Sequence, residues 1–327
     1  MGRKLRAEGF FNIPYAPVNA SLLQRRFVVP PFSVLDAKAG YWQDRKRAWL
    51  ALGIESELGR ASNGETKRFT FVAGTREYKD LDPVSKKILD TGSGTSIFDP
   101  VLCECVYTWF SPDGGMVLDP FAGGSVRGIV AGHTGRKYLG IELRGEQVRA
   151  NLVQQEKILD DRSAEWICGD SRGVLKEFND EKTFDLVFSC PPYADLEVYS
   201  DHPRDLSNMD YETFKRAYFD IIKQSVRRLK NNRFAVWVVG EARSTREKEG
   251  YYYGLVPDTI RAFEDAGARY YNEIMLLTAI GSLPIRVTKQ FQRSRKVGRT
   301  HQTVLVFVKG DPRIAAAVCN RKRLVRK

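Results

Sequence analysis

Apolar and polar positions follow two rhythms along this chain. Short apolar runs close on a charged or small residue, and between them apolar residues recur every three or four positions. Val117-Leu118 before Asp119-Pro120, Lys137–Glu142, Trp166–Asp170, Phe184–Ser189, Phe234–Val239, Tyr271–Ile280 and Thr303–Val308 read as strands. The spacing predicts helices over Val101–Phe110, Val126–Thr134, Gly145–Leu159, Tyr211–Lys230 and Leu255–Ala266, the last stopped by Gly267. Strand and helix in regular alternation predict an α/β fold: a mostly parallel sheet with helices on both faces.

Two strand ends carry unusual turn chemistry. After Val117-Leu118 come Asp119-Pro120-Phe121-Ala122-Gly123-Gly124-Ser125. Paired glycines let backbone approach a ligand closely, although many such turns serve geometry alone. After Phe184–Ser189 comes Cys190-Pro191-Pro192-Tyr193. The prolines stop the strand and stiffen the turn, and Tyr193 is expected at the carboxyl edge of the sheet, where α/β folds place ligands. Glu142 ends a strand about twenty residues beyond the glycine turn, the place from which a carboxylate accepts hydrogen bonds from both ribose hydroxyls. The competing reading is a surface glutamate opening the next helix.

The first 94 residues do not follow this alternation. Phe32–Asp36 reads as a short strand and Thr66–Tyr78 as a hairpin. Trp42 and Trp49, seven apart, share one helix face and are expected in the core, leaving Arg45, Lys46 and Arg47 to meet phosphate. Asp82–Gly94 is the expected boundary. The organisation expected is thus 1–94 as an accessory and DNA-recognition region, 95–312 as the α/β domain, and 313–327 as a basic tail.

Charge sharpens the picture. Lys and Arg number 52 against 40 Asp and Glu, a net charge of +12, which favours a polyanionic partner. The segment Gly281–His301 has no acidic residue and reads as a basic loop, with Arg286, Lys289, Arg293, Arg295, Lys296 and Arg299 as candidate phosphate contacts. The tail Arg321–Lys327 adds salt-dependent charge. No apolar run is long enough to span a membrane, and no apolar leader stands at the start. Five cysteines and three histidines lack zinc-site spacing, so no metal is expected and a reducing cytoplasm is.

Asp119–Ser125 resembles the cofactor motif of S-adenosylmethionine-dependent DNA amino-methyltransferases, which act on N6 of adenine or N4 of cytosine. Cys190-Pro191-Pro192-Tyr193 stands where that family carries Asp/Asn/Ser-Pro-Pro-Tyr, and the resemblance runs from about Thr95 to Lys309. It implies a Rossmann-like class I methyltransferase fold with seven strands, the last antiparallel. It implies S-adenosylmethionine as cofactor, double-stranded DNA as partner, and a flipped base as substrate. It implies cofactor contacts at Ser96, Asp99, Asp119, Phe121, Gly123, Ser125 and Asp170, beside the ribose reading of Glu142. Asp99 and Asp170 also read as helix N-caps, with Pro100 first in its helix. With no nuclease constellation, the expected setting is a solitary modification enzyme of a bacterial or phage-infected cell.

Cys190 departs from the family pattern, because a thiol is a weak hydrogen-bond acceptor and, once ionised, a strong nucleophile. Three readings stay open. Cys190 is a tolerated variant, with Ser189 or backbone supplying the missing hydrogen bond. It is a covalent nucleophile for pyrimidine C5 modification, although the Pro-Cys-Gln of such enzymes is absent. Or catalysis is lost and a cofactor- and DNA-binding protein remains.

Overall fold

A computed structural model describes residues 21–55, 98–159, 163–194, 199–243, 250–278, 280 and 283–320, with the side chains of 285 and 286 set aside. The expected hairpin at Thr66–Tyr78, the boundary at Asp82–Gly94, Ser96, the Arg286 side chain and the tail Arg321–Lys327 lie outside the described residues.

The sheet is built from β1 (Val34–Asp36), β2 (Met116–Asp119), β3 (Lys137–Glu142), β4 (Ala164–Cys168), β5 (Phe184–Ser189), β6 (Leu229–Val239), β7 (Arg269–Leu277) and β8 (His301–Lys309). Their spatial order is β1-β7-β8-β6-β5-β2-β3-β4. Every neighbouring pair is parallel except those made by β8, which runs antiparallel to both β6 and β7. This is the sheet of a Rossmann-like class I methyltransferase with one strand added. The sheet has eight strands where seven are expected, and the extra one is β1, paired Val34 to Met275. Three residues are too few to announce a sheet position; β1 is held there by its parallel pairing with β7, flanked by hydrogen bonds from the Met275 N–H to the Ser33 carbonyl and from the Ala37 N–H to the Leu277 carbonyl.

The period-2 rhythm separates two cores. Val117, Leu186, Phe188, Val236 and Val238 face one side. Leu118, Val187, Ala235, Trp237 and Val239 face the other. The first side is covered by α2 (Gly40–Leu50), α3 (Pro100–Phe110) and α4 (Val126–His133). The second is covered by α7 (Tyr211–Arg228) and α8 (Leu255–Asp265). Between the two sets in sequence lie α5 (Gly145–Ile158) and α6 (Ser171–Glu177). α1 (Leu22–Phe27) precedes the sheet, and α9 (Leu283–Ser294) and α10 (Pro312–Cys319) flank β8 in the chain.

The tryptophans of α2 are both fully buried, as their spacing predicts, but two of the three bases between them turn onto carboxylates of the protein. The Arg45 guanidinium donates to both carboxylate oxygens of the buried Glu104, which also accepts from Trp49 Nε1 at 2.9 Å. Trp42 Nε1 donates to Asp99 at 3.2 Å, and Lys46 Nζ sits 3.3 Å from the same carboxylate. Arg47 pairs with Asp44. The expectation that Arg45 and Lys46 are left for phosphate is therefore corrected, because two carboxylates of α3 and its cap engage them and hold α2 in place; Arg47 stays exposed.

The segment from 283 to 294 is helical rather than the expected loop. Leu283, Val287 and Phe291 recur every four residues, a helical stripe that the density of basic residues obscures. Pro284 stands early in it, where a missing N–H costs nothing. Among the described residues, no helix is long and apolar enough to cross a membrane.

Candidate active site

The glycine turn is braced from beneath. The Asp119 carboxylate at the tip of β2 is fully buried and accepts from Ser189 Oγ at 2.5 Å, Tyr138 Oη at 2.7 Å and the Phe121 N–H at 3.1 Å. Arg127 on α4 closes the set, its Nε 2.5 Å from Asp119 and its Nη2 donating to the Phe121 and Ala122 carbonyls at 2.6 and 2.9 Å. The guanidinium also lies over the Phe98 ring, 4.4 Å from its centroid. Burial works to lower the Arg127 pKa, but Asp119 together with Tyr138 and Cys190 outweighs it and the pKa is raised. The turn's geometry thus rests on a buried ion pair whose hydrogen-bonding capacity is well used.

Gly123 has φ +51°, a left-handed conformation that side chains disfavour, although space around it is open. Its N–H donates to Glu142 Oε2 at 2.9 Å, and its carbonyl accepts from Asn151 Nδ2 at 2.8 Å. Glu142 Oε1 accepts from the Arg144 N–H at 3.0 Å. Burial pushes the Glu142 carboxyl above the usual range, against the pull of these N–H groups and Arg144. Asp170 caps α6 by accepting from the Arg172 N–H at 3.0 Å, and Ser171 Oγ donates to the Pro120 carbonyl. Asp99 caps α3 through Val101 N–H at 2.9 Å, with Pro100 first in the helix. Both capping readings hold, and both carboxylates also border the cavity.

The second strand tip faces the same space. Cys190 Sγ lies 3.6 Å from Tyr193 Oη, which accepts from Gln302 Nε2 of β8 at 3.1 Å. The Tyr193 ring lies against Gly240, where an added Cβ would come within 3.1 Å of it. Ser189 turns the other way. Its hydroxyl donates to Asp119, accepts from the Phe121 N–H at 3.2 Å and is fully buried. The expectation that Ser189 supplies a hydrogen bond in place of Cys190 is corrected on this geometry.

Between the tips opens a cavity of about 570 Å³. Its walls bring together Asp99, Phe121, Gly123, Glu142 and Asp170 with Cys190, Pro191, Pro192 and Tyr193. Asp119 and Ser125, expected at the cofactor, do not line it; Asp119 is spent on the brace, and Ser125 is buried behind the turn. The walls also contain Lys46, expected at phosphate, Arg204, and residues that sequence reasoning passed over: Arg127, Arg144, Gln147 and Gln302. Arg127 carried a local signal, as the base following the glycine turn. Gln302 carried none, because its place depends on β8 entering the sheet antiparallel.

Of the expected DNA contacts, Lys289 and Arg293 are exposed on α9 and Arg295 follows it, also exposed. Lys296 is half-buried beside Gly250. Arg299 turns back onto β8, with Nε donating to the His301 carbonyl at 3.0 Å and Nη2 to Thr303 Oγ1 at 3.2 Å. Among the described residues, no group of three or more His, Cys, Asp and Glu is placed to hold a metal ion.

No family model matches the chain, and no curated protein is similar to it. Solved structures are similar at low identity. TrmN from Thermus thermophilus is 16% identical over 69% of this chain and 52% of its own, with a TM-score of 0.40. A candidate DNA modification methylase, also from Thermus thermophilus, is 21% identical over 44% of this chain and 51% of its own, TM-score 0.32. The [4+2]-cyclase SpnF is 16% identical over 64% of this chain and 80% of its own, TM-score 0.45. The chain spans about half the length of TrmN, 52%. Likeness at this level says nothing of reaction or substrate.

Proposed function

We propose that the protein transfers a methyl group from S-adenosylmethionine to an exocyclic amino nitrogen, adenine N6 or cytosine N4, of a base turned out of DNA. The observation that carries this reading is that Gly123 and Pro191, on the tips of two neighbouring strands, border one cavity. The cavity has acidic side chains at one end, Glu142 and Asp170, and an aromatic ring, Tyr193, at the other strand tip.

The residues present fit the cofactor. Each Glu142 oxygen accepts from one backbone N–H, which leaves acceptor capacity for ribose hydroxyls. Gly123 presents backbone with no side chain in the way. Asp170 is the group for the adenine amine. When bound, S-adenosylmethionine supplies a methyl group already activated on a sulfonium centre.

The remaining chemistry belongs to the chain. An exocyclic amine is a poor nucleophile, because its lone pair is delocalised into the ring. The Pro191 carbonyl accepts from the amine and favours the tetrahedral nitrogen. The Tyr193 ring stacks on the flipped base, held in orientation by Gln302 and Gly240. Much of the acceleration comes from holding donor and acceptor in line. The exposed bases of α9 hold DNA phosphates.

Cys190 supports a second reading, because it borders the cavity. As a thiolate it would add to C6 of a pyrimidine and direct methylation to C5. A cofactor- and DNA-binding protein without turnover is the third. One experiment separates them: nucleoside mass spectrometry of DNA and RNA incubated with the purified protein and methyl-labelled S-adenosylmethionine. N6-methyladenine or N4-methylcytosine is expected in the DNA. 5-Methylcytosine, together with a covalent complex on 5-fluorocytosine DNA, would replace the amino-methylation reading with the Cys190 one. Label confined to RNA would remove DNA as substrate, and binding without any label would remove turnover.

A further inference from the structure

The carboxylate expected to meet the cofactor's methionine end, Asp99, is used up by the chain's own donors. Its oxygens accept from the Val101 N–H at 2.9 Å, the Leu102 N–H at 3.4 Å and Trp42 Nε1 at 3.2 Å to each oxygen, and it forms an ion pair with Lys46 Nζ at 3.3 Å. A carboxylate offers about four lone-pair sites, so little acceptor capacity remains. Lys46 is the opposite case. Its ammonium has three donors. Among the described residues, its one ion pair is with Asp99, and the side chain is 29% exposed and lines the cavity wall. Arg127, which lies over the Phe98 ring, has Nε and Nη2 committed to Asp119 and two carbonyls. Of these two cations, the lysine of the N-terminal region is the more exposed, its side chain 29% against 6% for Arg127.

The placement is well supported. Lys46 and Trp42 stand four apart on α2 and grip Asp99; Arg45 and Trp49, also four apart, grip Glu104. Both carboxylates belong to α3 or its cap. A helix fixed at two points holds the Lys46 stem against the cavity with less freedom to lose when the ammonium engages a ligand.

We infer that Lys46 binds the α-carboxylate of the methyl donor's methionine moiety, and that Asp99 and Trp42 act as positioning residues that aim it. This rests on S-adenosylmethionine being the ligand of the cavity. It gives the N-terminal region a part in building the cofactor site. It also explains why a base on α2 is held by a carboxylate facing inward.

The test compares S-adenosylmethionine with its decarboxylated analogue, which has the same nucleoside and sulfonium but no carboxylate. Calorimetric titration of the full-length protein is expected to give a clear preference for the carboxylate-bearing ligand. Lys46→Met, which keeps most of the apolar stem, is expected to weaken S-adenosylmethionine roughly 10- to 100-fold, the range of one charge-assisted hydrogen bond. The same variant is expected to bind the decarboxylated analogue within about twofold of the unmodified protein, since no partner is removed. That retained binding also shows that the variant is folded. Lys46→Arg is expected to restore part of the preference. A Lys46→Met protein that still prefers the carboxylate as strongly as the unmodified one would overturn the inference while leaving the cofactor reading intact. So would a variant that loses DNA affinity with its ligand preference unchanged. An unmodified protein that binds neither ligand would overturn both.

Discussion

The hydroxyl of Ser189 donates to Asp119 across the tips of β5 and β2 at 2.5 Å, with both side chains fully buried. One strand leads to the glycine turn and the other to Cys190-Pro191-Pro192-Tyr193, so this hydroxyl, which also accepts from the Phe121 N–H, couples the two turns that border the cavity. Ser189→Ala deletes it and leaves Asp119 with one acceptor site unfilled in a buried setting. The expected cost is about 1–3 kcal/mol, read as a lowered midpoint of thermal unfolding, with weaker S-adenosylmethionine binding as the Phe121 N–H loses a partner. An unchanged midpoint would show that the β2–β5 pairing holds the tips without the Ser189 hydroxyl.

Cys190 and Tyr193 are expected to separate cleanly by substitution. Cys190→Ser replaces a weak acceptor with a better one of similar shape, so methyl transfer is retained or increased under the amino-methylation reading. Tyr193→Ala removes the ring that stacks on the base, and turnover falls by roughly 10- to 100-fold, while DNA is still retained on phosphate contacts. Tyr193→Phe keeps the ring and loses only the hydroxyl shared with Gln302 and Cys190, so it stays much nearer the unmodified rate. Single-turnover rates with gel retention of the same DNA measure both quantities.

Glu142 sets a pH dependence. Burial raises its carboxyl above the usual range. A raised carboxyl stabilises the fold below the unfolded pKa, and this contribution is lost as pH rises through the folded value. At neutral pH the buried carboxylate therefore costs stability. Glu142→Gln is expected to gain in unfolding midpoint relative to the unmodified protein as pH rises from about 4 to about 7. Binding runs the other way, since ribose recognition uses the ionised acceptor: S-adenosylmethionine affinity of the unmodified protein falls as pH drops through the raised value. The glutamine variant binds weakly with a flatter profile. A midpoint difference independent of pH would show that Glu142 is not strained by burial.

Lys289 and Arg293 are exposed on α9, one turn apart. Replacing both by alanine is expected to weaken DNA binding without altering the base modified. The slope of log affinity against log salt should become shallower by about 0.9 for each phosphate no longer neutralised. Fluorescence anisotropy across a salt series gives the slope. An unaltered slope would take α9 out of the DNA interface.

How much of the site was legible depends on how far apart the partners stand in sequence. Turn chemistry is local. The Gly123 conformation, the proline stop at Pro191-Pro192 and the caps at Asp99 and Asp170 need only their neighbours, and each is found where the sequence leads one to look. Pairings across long separations were not legible: Ser189 with Asp119 across 70 positions, Arg45 with Glu104 across 59 and Trp42 with Asp99 across 57. Two of them inverted a local expectation. The Ser189 hydroxyl became a strut, and a base expected to meet phosphate, Arg45, became an anchor.

The sequence by itself determined the alternation of strand and helix and the two turns whose residues border the cavity, because side-chain period and the backbone limits of glycine and proline act within a few residues. Tertiary structure alone decided that β1 joins the sheet, that Ser189 faces away from the cavity and that Lys46 faces it. Those outcomes depend on which buried donor meets which acceptor once the layers close, and in a packed interior each such group must find a partner wherever the fold supplies one.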